Sequence, residues 1–78
     1  MFKILIAEDD AELRTLFTRV LEKNGYSVLG AGDGKQALDL LEREYVDLII
    51  LDIMMPVMNG YQVVQSLREN GNKNPVMM

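Results

Sequence analysis

Cysteine, histidine and tryptophan are all missing from this 78-residue chain. Without cysteine there is no disulfide, no thiol nucleophile and no zinc–thiolate site, a composition consistent with a reducing compartment. Without histidine, the usual general base and the commonest transition-metal ligand are gone. A basic excess is missing as well: 12 acidic residues stand against 8 basic ones, a net charge of −4, so direct nucleic-acid binding by this segment is not expected. No apolar run approaches the ~20 residues of a membrane span, and the N-terminus has no basic-then-apolar leader. The expectation is a soluble cytoplasmic protein with no membrane partner. Apolar residues are plentiful, at 49%, which argues against disorder. The length allows one domain at most. A chain of this size buries only about 60% of the surface its unfolded form exposes, so modest stability is expected.

The apolar residues fall into two alternating patterns. Short runs rich in Ile, Leu and Val read as buried parallel strands: Phe2 to Ala7, Tyr26 to Leu29, Val46 to Leu51, and a fourth beginning at Val76 after the extended Asn74-Pro75. Between them lie helical spacings. Leu13, Leu16, Phe17, Val20 and Leu21 make the first, capped by Asp9 or Asp10 and stopped at Asn24-Gly25. Ala37, Leu38, Leu41 and Tyr45 make the second, with Asp33 a candidate cap. Val63, Val64 and Leu67 make the third, opened by Gly60 and stopped at Asn70-Gly71. A positive φ is expected at Gly60. The element order is β-α-β-α-β-α-β, which defines an α/β fold with a doubly wound parallel sheet. The glycine-rich stretch from Gly30 to Gly34 follows a strand and precedes a helix, but its spacing is not that of a dinucleotide-binding loop and it follows the second strand, not the first, so it reads as a plain loop.

Three acids stand where strands end. Glu8 and Asp9 follow the first run directly, and Asp52 follows Leu48-Ile49-Ile50-Leu51. Either set alone has an ordinary explanation, because acids are favoured at helix N-termini. Together they suggest more, because open α/β sheets bind ligands outside the carboxyl ends of their strands. If the two strands are neighbours, three carboxylates share one crevice, an arrangement that needs a cation to join them. Oxygen-only ligands suit a hard ion such as Mg²⁺. A carboxylate beside such an ion is a plausible phosphoryl acceptor. Met54, Met55 and Met58 read as packing and loop residues.

These residues carry a resemblance. Lys3-Ile4-Leu5-Ile6-Ala7-Glu8-Asp9-Asp10, together with the segment from Leu48 to Gly60 that contains Asp52 and Pro56-Val57-Met58-Asn59-Gly60, resembles the receiver domain of bacterial two-component response regulators. The likeness runs over the whole chain. It implies a flavodoxin-like sheet, with Asp52 as phosphoacceptor. It also implies Mg²⁺ bound directly by Asp9 and Asp52, by Glu8 through water and by the backbone carbonyl of Met54, and a histidine kinase as phosphodonor. The family order is 2-1-3-4-5. Measured against it, residues 1–78 are expected to be a partial receiver domain ending within the fourth strand. The expected segment lacks the family's switch Ser/Thr after that strand and its Lys at the end of the fifth.

Two rival functions remain beside the phosphoacceptor reading. One is a receiver fragment acting only as a folding or self-assembly unit with an idle acidic pocket. The other is a Mg²⁺-dependent phosphatase using Asp52, which is weakened because Ile53 and Met54, not a second acid, follow it. An enzyme acting on a separate substrate is therefore not expected. In the order 2-1-3-4 the fourth strand is an open edge, and open apolar edges template pairing with another chain. Homo-oligomerisation through Val76, Met77 and Met78 is the expectation.

Overall fold

The computed structural model describes residues 1–52, 55 and 57–78. Seven elements follow in the expected alternation: β1 (Lys3–Ala7), α1 (Ala11–Lys23), β2 (Ser27–Ala31), α2 (Gly34–Arg43), β3 (Leu48–Leu51), α3 (Gly60–Glu69) and β4 (Val76–Met77). The strands form one parallel sheet in the order β2-β1-β3-β4. β1 is therefore central, pairing Lys3 with Ser27 on one side and Ile4 with Leu48 on the other.

Each helix begins where its sequence supplies an acceptor for orphan backbone N–H groups. The Asp10 carboxylate accepts from the N–H groups of Glu12 and Leu13, which settles the cap of α1 on Asp10. Asp33 accepts from the Gln36 N–H at the start of α2. Asn59 and Gln62 form a reciprocal capping box at α3, each side chain bonded to the other's backbone. α1 is followed by Gly25 and α3 by Gly71, both at positive φ, the conformation in which glycine has no penalty.

Alternation along the strands divides the sheet into two faces. Leu5, Ala7, Ile49 and Leu51 point to one face and pack with Ala37, Val46, Val63 and Leu67 in a buried core. That face is covered by α2 and α3, which also pack on each other. α1 lies over β1 and β2 on the opposite face, where Ile6 and Ile50 line a groove with Leu16 and Phe17.

Several boundaries differ from the sequence reading. β2 runs on through Gly30 and Ala31, because Ala31 pairs with Ala7 and is fully buried. β3 begins at Leu48, although Val46 before it is buried in the core. α2 ends at Arg43, which leaves Tyr45 outside the helix and exposed. Gly60 does not take a positive φ. It is the first residue of α3, and among the described residues of the loop before it a positive φ falls on Val57, at 69°. Among the described residues, no helix is long and apolar enough to cross a membrane.

Candidate functional site

The carboxyl ends of β1 and β3 bring the three sequence-predicted acids together. Parallel pairing continues one step past each strand: the Asp52 N–H donates to the Ala7 carbonyl at 3.0 Å, and the Glu8 N–H donates to the Ala31 carbonyl at 3.0 Å. That register sets Glu8 and Asp52 side by side on adjacent strands. Asp9 follows on the loop into α1. One carboxylate oxygen from each of Glu8, Asp9 and Asp52 lies within 4.8 Å of the others. Burial is graded across the group: Glu8 is 8% exposed, Asp52 is partly buried and Asp9 is exposed. The fourth ligand implied by resemblance, the Met54 carbonyl, lies outside the described residues.

The electrostatics follow from that grading. Burial pushes the Glu8 carboxyl above its ordinary value of 4.5, and side-chain hydrogen bonds with Asp9 and Asp52 push it the same way. The neighbouring Asp52 charge adds to this, while the Asp10 N–H, donating to Glu8 Oε2 at 3.4 Å, works against it. Glu8 thus holds a proton more readily than an isolated glutamate does. A small cleft of about 150 Å³ opens beside the acids, lined by Ile6, Ala7, Glu8, Phe17, Ile50, Leu51 and Asp52. The acids therefore sit at the mouth of a largely apolar wall, where electrostatic interactions are less screened than in bulk water.

Arg14, which lies off the apolar stripe of α1 and was not among the residues singled out from the sequence, also reaches this site. Its Nη1 donates to the Glu8 carbonyl at 2.6 Å. Its alkyl chain crosses β2 at Gly30, where a Cβ would come within 3.4 Å of Arg14 Cδ. The guanidinium thus holds the backbone of the site from the side opposite β3. The available signal was the glycine inside a strand, which marks a close approach.

Comparison with known proteins agrees with this geometry. A model of the response regulator receiver domain family matches residues 4–78. The chain is 46% identical over 78 residues to the transcriptional regulatory protein CpxR of Escherichia coli, covering 100% of this chain and 33% of that protein. It is 41% identical over 76 residues to the alkaline phosphatase synthesis transcriptional regulatory protein PhoP of Bacillus subtilis, covering 97% and 32%. Among solved structures, a Francisella response regulator receiver domain superposes with a TM-score of 0.94 at 34% identity, over 97% of this chain and 63% of that one. TrrA from Thermotoga maritima, solved in complex with Mg²⁺-BeF, gives 0.91 at 32% identity, over 97% and 66%. A parallel sheet that carries paired acids after β1 and a lone Asp after β3 defines a receiver module of a two-component system. The chain belongs to the response regulator receiver domain family. It spans about a third of the length of the curated relatives it matches.

Proposed function

We propose that this chain is a phosphoacceptor module that takes a phosphoryl group on Asp52 from a histidine kinase. The observation that carries this reading is the meeting of Glu8, Asp9 and Asp52 within 4.8 Å at the ends of adjacent parallel strands. In the transfer, an Asp52 carboxylate oxygen attacks phosphorus in line. A P–O bond forms as the P–N bond of the donor phosphohistidine breaks, and the electron pair leaves with the imidazole nitrogen. The trio offers hard oxygen donors only, which fits Mg²⁺. Asp9 and Asp52 would hold it directly and Glu8 through water, and it would supply neutralisation of the charge gathering on the phosphoryl oxygens. The chain's own contribution is positional. The β1–β3 register fixes Asp52 against Glu8, and Arg14 anchors the Glu8 backbone. TrrA, a relative at 32% identity, holds Mg²⁺-BeF, which supports the same chemistry here.

The protein acts in this reading as a cytoplasmic signalling module, not as an enzyme turning over a separate substrate. Treatment with a small phosphodonor and Mg²⁺, followed by mass spectrometry, tests it. One base-labile phosphoryl adduct is expected, and it should vanish in Asp52→Asn. An equally abundant adduct in that variant rules the site out. Absence of any adduct in the folded protein favours the rival reading of an idle pocket in a self-assembling fragment.

Self-association is part of the proposal. The β4 edge expected to mediate it is open, and Met77 on it is exposed. At two residues, however, β4 can contribute only a few backbone hydrogen bonds.

A further inference from the structure

Arg14 meets the acidic rim twice. Its guanidinium Nη1 donates to the Glu8 carbonyl at 2.6 Å, and its backbone N–H donates to the Asp10 carbonyl at 2.9 Å. The two acceptors stand on either side of Asp9, so one residue of α1 brackets the exposed member of the trio. The backbone bond is the first of the helix and survives any side-chain change. The bond to Glu8 depends on the guanidinium. Its acceptor belongs to the peptide that joins Glu8 to Asp9. That peptide is planar, so holding its oxygen also fixes the direction in which the chain enters Asp9. The guanidinium is itself confined. Its alkyl chain crosses Gly30, and Nη1 lies against Gly32, where a Cβ would stand 3.5 Å away. The Gly32 N–H donates to Gln36 Oε1 at 2.9 Å, which ties that loop to α2.

We propose that Arg14 is a positioning residue that makes the acidic rim selective for Mg²⁺ over larger divalent cations such as Ca²⁺. This role rests on the reading of Glu8, Asp9 and Asp52 as ligands, and adds what sets their geometry. Mg²⁺ demands a near-octahedral set of oxygens at about 2.0–2.1 Å, whereas Ca²⁺ takes its oxygens at about 2.3–2.6 Å and tolerates irregular shapes. Discrimination between the two therefore depends on how rigidly the carboxylates are presented. Glu8 and Asp52 are set by the sheet, through backbone bonds one step past β1 and β3. Asp9 lies beyond that support, exposed on the loop into α1. The bond from Arg14 to the preceding carbonyl carries the order of the sheet one residue further, to Asp9. Groups that orient metal ligands from outside the coordination sphere matter nearly as much as the ligands themselves. Charge alone would act in the opposite direction. A guanidinium beside a cation site repels the ion, so its removal would tighten the binding of both ions. Positioning requires that binding weaken, and that Mg²⁺ suffer more. The sign of the change separates the two.

Calorimetric titration of the whole chain with MgCl₂ and, separately, with CaCl₂ tests this, with far-UV circular dichroism confirming that each variant is folded. Arg14→Met keeps an alkyl chain over Gly30 and removes the donor and the charge. Its Kd for Mg²⁺ should rise about tenfold or more. Its Kd for Ca²⁺ should rise about threefold or less, so the preference for Mg²⁺ falls. Arg14→Lys keeps the charge but not the planar fork of donors. A role through charge predicts no change in that variant. Positioning predicts a loss of Mg²⁺ affinity smaller than that of Arg14→Met. A folded Arg14→Met that binds both ions as tightly as the parent, or more tightly, overturns the proposal. So does an equal loss for the two ions, and so does an unchanged Mg²⁺ affinity in Arg14→Lys, the variant that decides the matter if Arg14→Met does not fold. Asp9→Asn separates this role from the ligand reading beneath it. A parent chain that binds neither ion removes the ligand reading and the role of Arg14 with it. A parent that binds Mg²⁺ and loses it in Asp9→Asn, beside an Arg14→Met variant of unchanged affinity, overturns the role of Arg14 alone.

Discussion

On one face of the sheet, Leu5, Ala7, Ile49 and Leu51 meet Ala37, Val63 and Leu67, and every one of them is buried. On the other, Ile6 and Ile50 line an open groove beside a helix with no buried residue. The helices on the two faces look alike in sequence. Each has apolar residues at three- and four-residue spacing, an acceptor at its N-cap and a cation in its last turn. The difference lies in what each helix packs against. α2 and α3 lie on the sheet and on each other, so their stripes are covered twice. Among the described residues, α1 packs chiefly on β1 and β2 and has no extensive contact with another helix. Amphipathic periodicity therefore reports which side of a helix needs cover. It does not report that the cover is in place.

The largest expected difference between the faces comes from matched truncations. Ile49→Ala should cost about 2–5 kcal/mol, because a fully buried site leaves a cavity on substitution. Leu16→Ala on the open face should cost the monomer well under about 1 kcal/mol. Chemical denaturation of both variants at low concentration measures the contrast, and equal losses would show that the α1 face is not open in solution.

A smaller effect sharpens the view of the covered face. Gly34 begins α2 where α3 and its preceding loop come closest. A Cβ there would stand 2.6 Å from Val63 Cγ2 and 2.7 Å from the Met58 carbonyl oxygen. The carbonyl is backbone and cannot swing aside. Gly34→Ala should therefore destabilise by about 1–3 kcal/mol despite the better helix propensity of alanine. A thermal melt in which Gly34→Ala matches or exceeds the parent would mean that the two helices are less closely joined.

Where the faces meet, at the carboxyl rim, the acids set a pH dependence. Burial raises the Glu8 carboxyl above its unfolded value near 4.5. A carboxyl raised in this way binds its proton more tightly when folded. Its contribution favours folding at low pH and is lost as pH climbs from about 4.5 through the folded value. At neutral pH and without divalent cation, Glu8→Gln should thus stabilise the chain, seen as a higher melting temperature. With Mg²⁺ the ordering should narrow or invert, since the amide surrenders a charged ligand. A parent protein that gains no more than Glu8→Gln from the ion would remove Glu8 from the proposed ligand set.

The smallest effect expected is at Val57, a β-branched residue held at φ 69°. That conformation is costly for a side chain branched at Cβ. Val57→Gly should gain about 0.5–1 kcal/mol from released strain, less what glycine loses in chain entropy. A clear destabilisation in urea would mean that the valine side chain contributes packing that outweighs the strain.

Much of this organisation was legible in the residues themselves. Strand alternation, the three helices and the order 2-1-3-4 followed from apolar spacing and a family likeness. The convergence of Glu8, Asp9 and Asp52 followed from their position at strand ends. Local signals failed where a distant partner decides the outcome. β2 extends through Gly30 and Ala31 because β1 pairs with it there. The positive φ falls on Val57 although glycine is the residue that takes it freely, and Gly60 is drawn into α3 behind the Asn59–Gln62 capping box. Arg14 belongs to the site because one strand residue has no side chain to exclude it, a relation between positions far apart in sequence.

The central place of β1 has a consequence for how the chain is made. It is synthesised before both of its neighbours, β2 and β3, the latter ending at Leu51. At about 5–20 residues per second, several seconds of synthesis separate β1 from its second partner. During that interval Ile4, Leu5 and Ile6, which end up fully shielded, have no sheet to enter. A strand enclosed on both sides in the folded sheet therefore waits, while the chain is being born, for the partner that closes its second side.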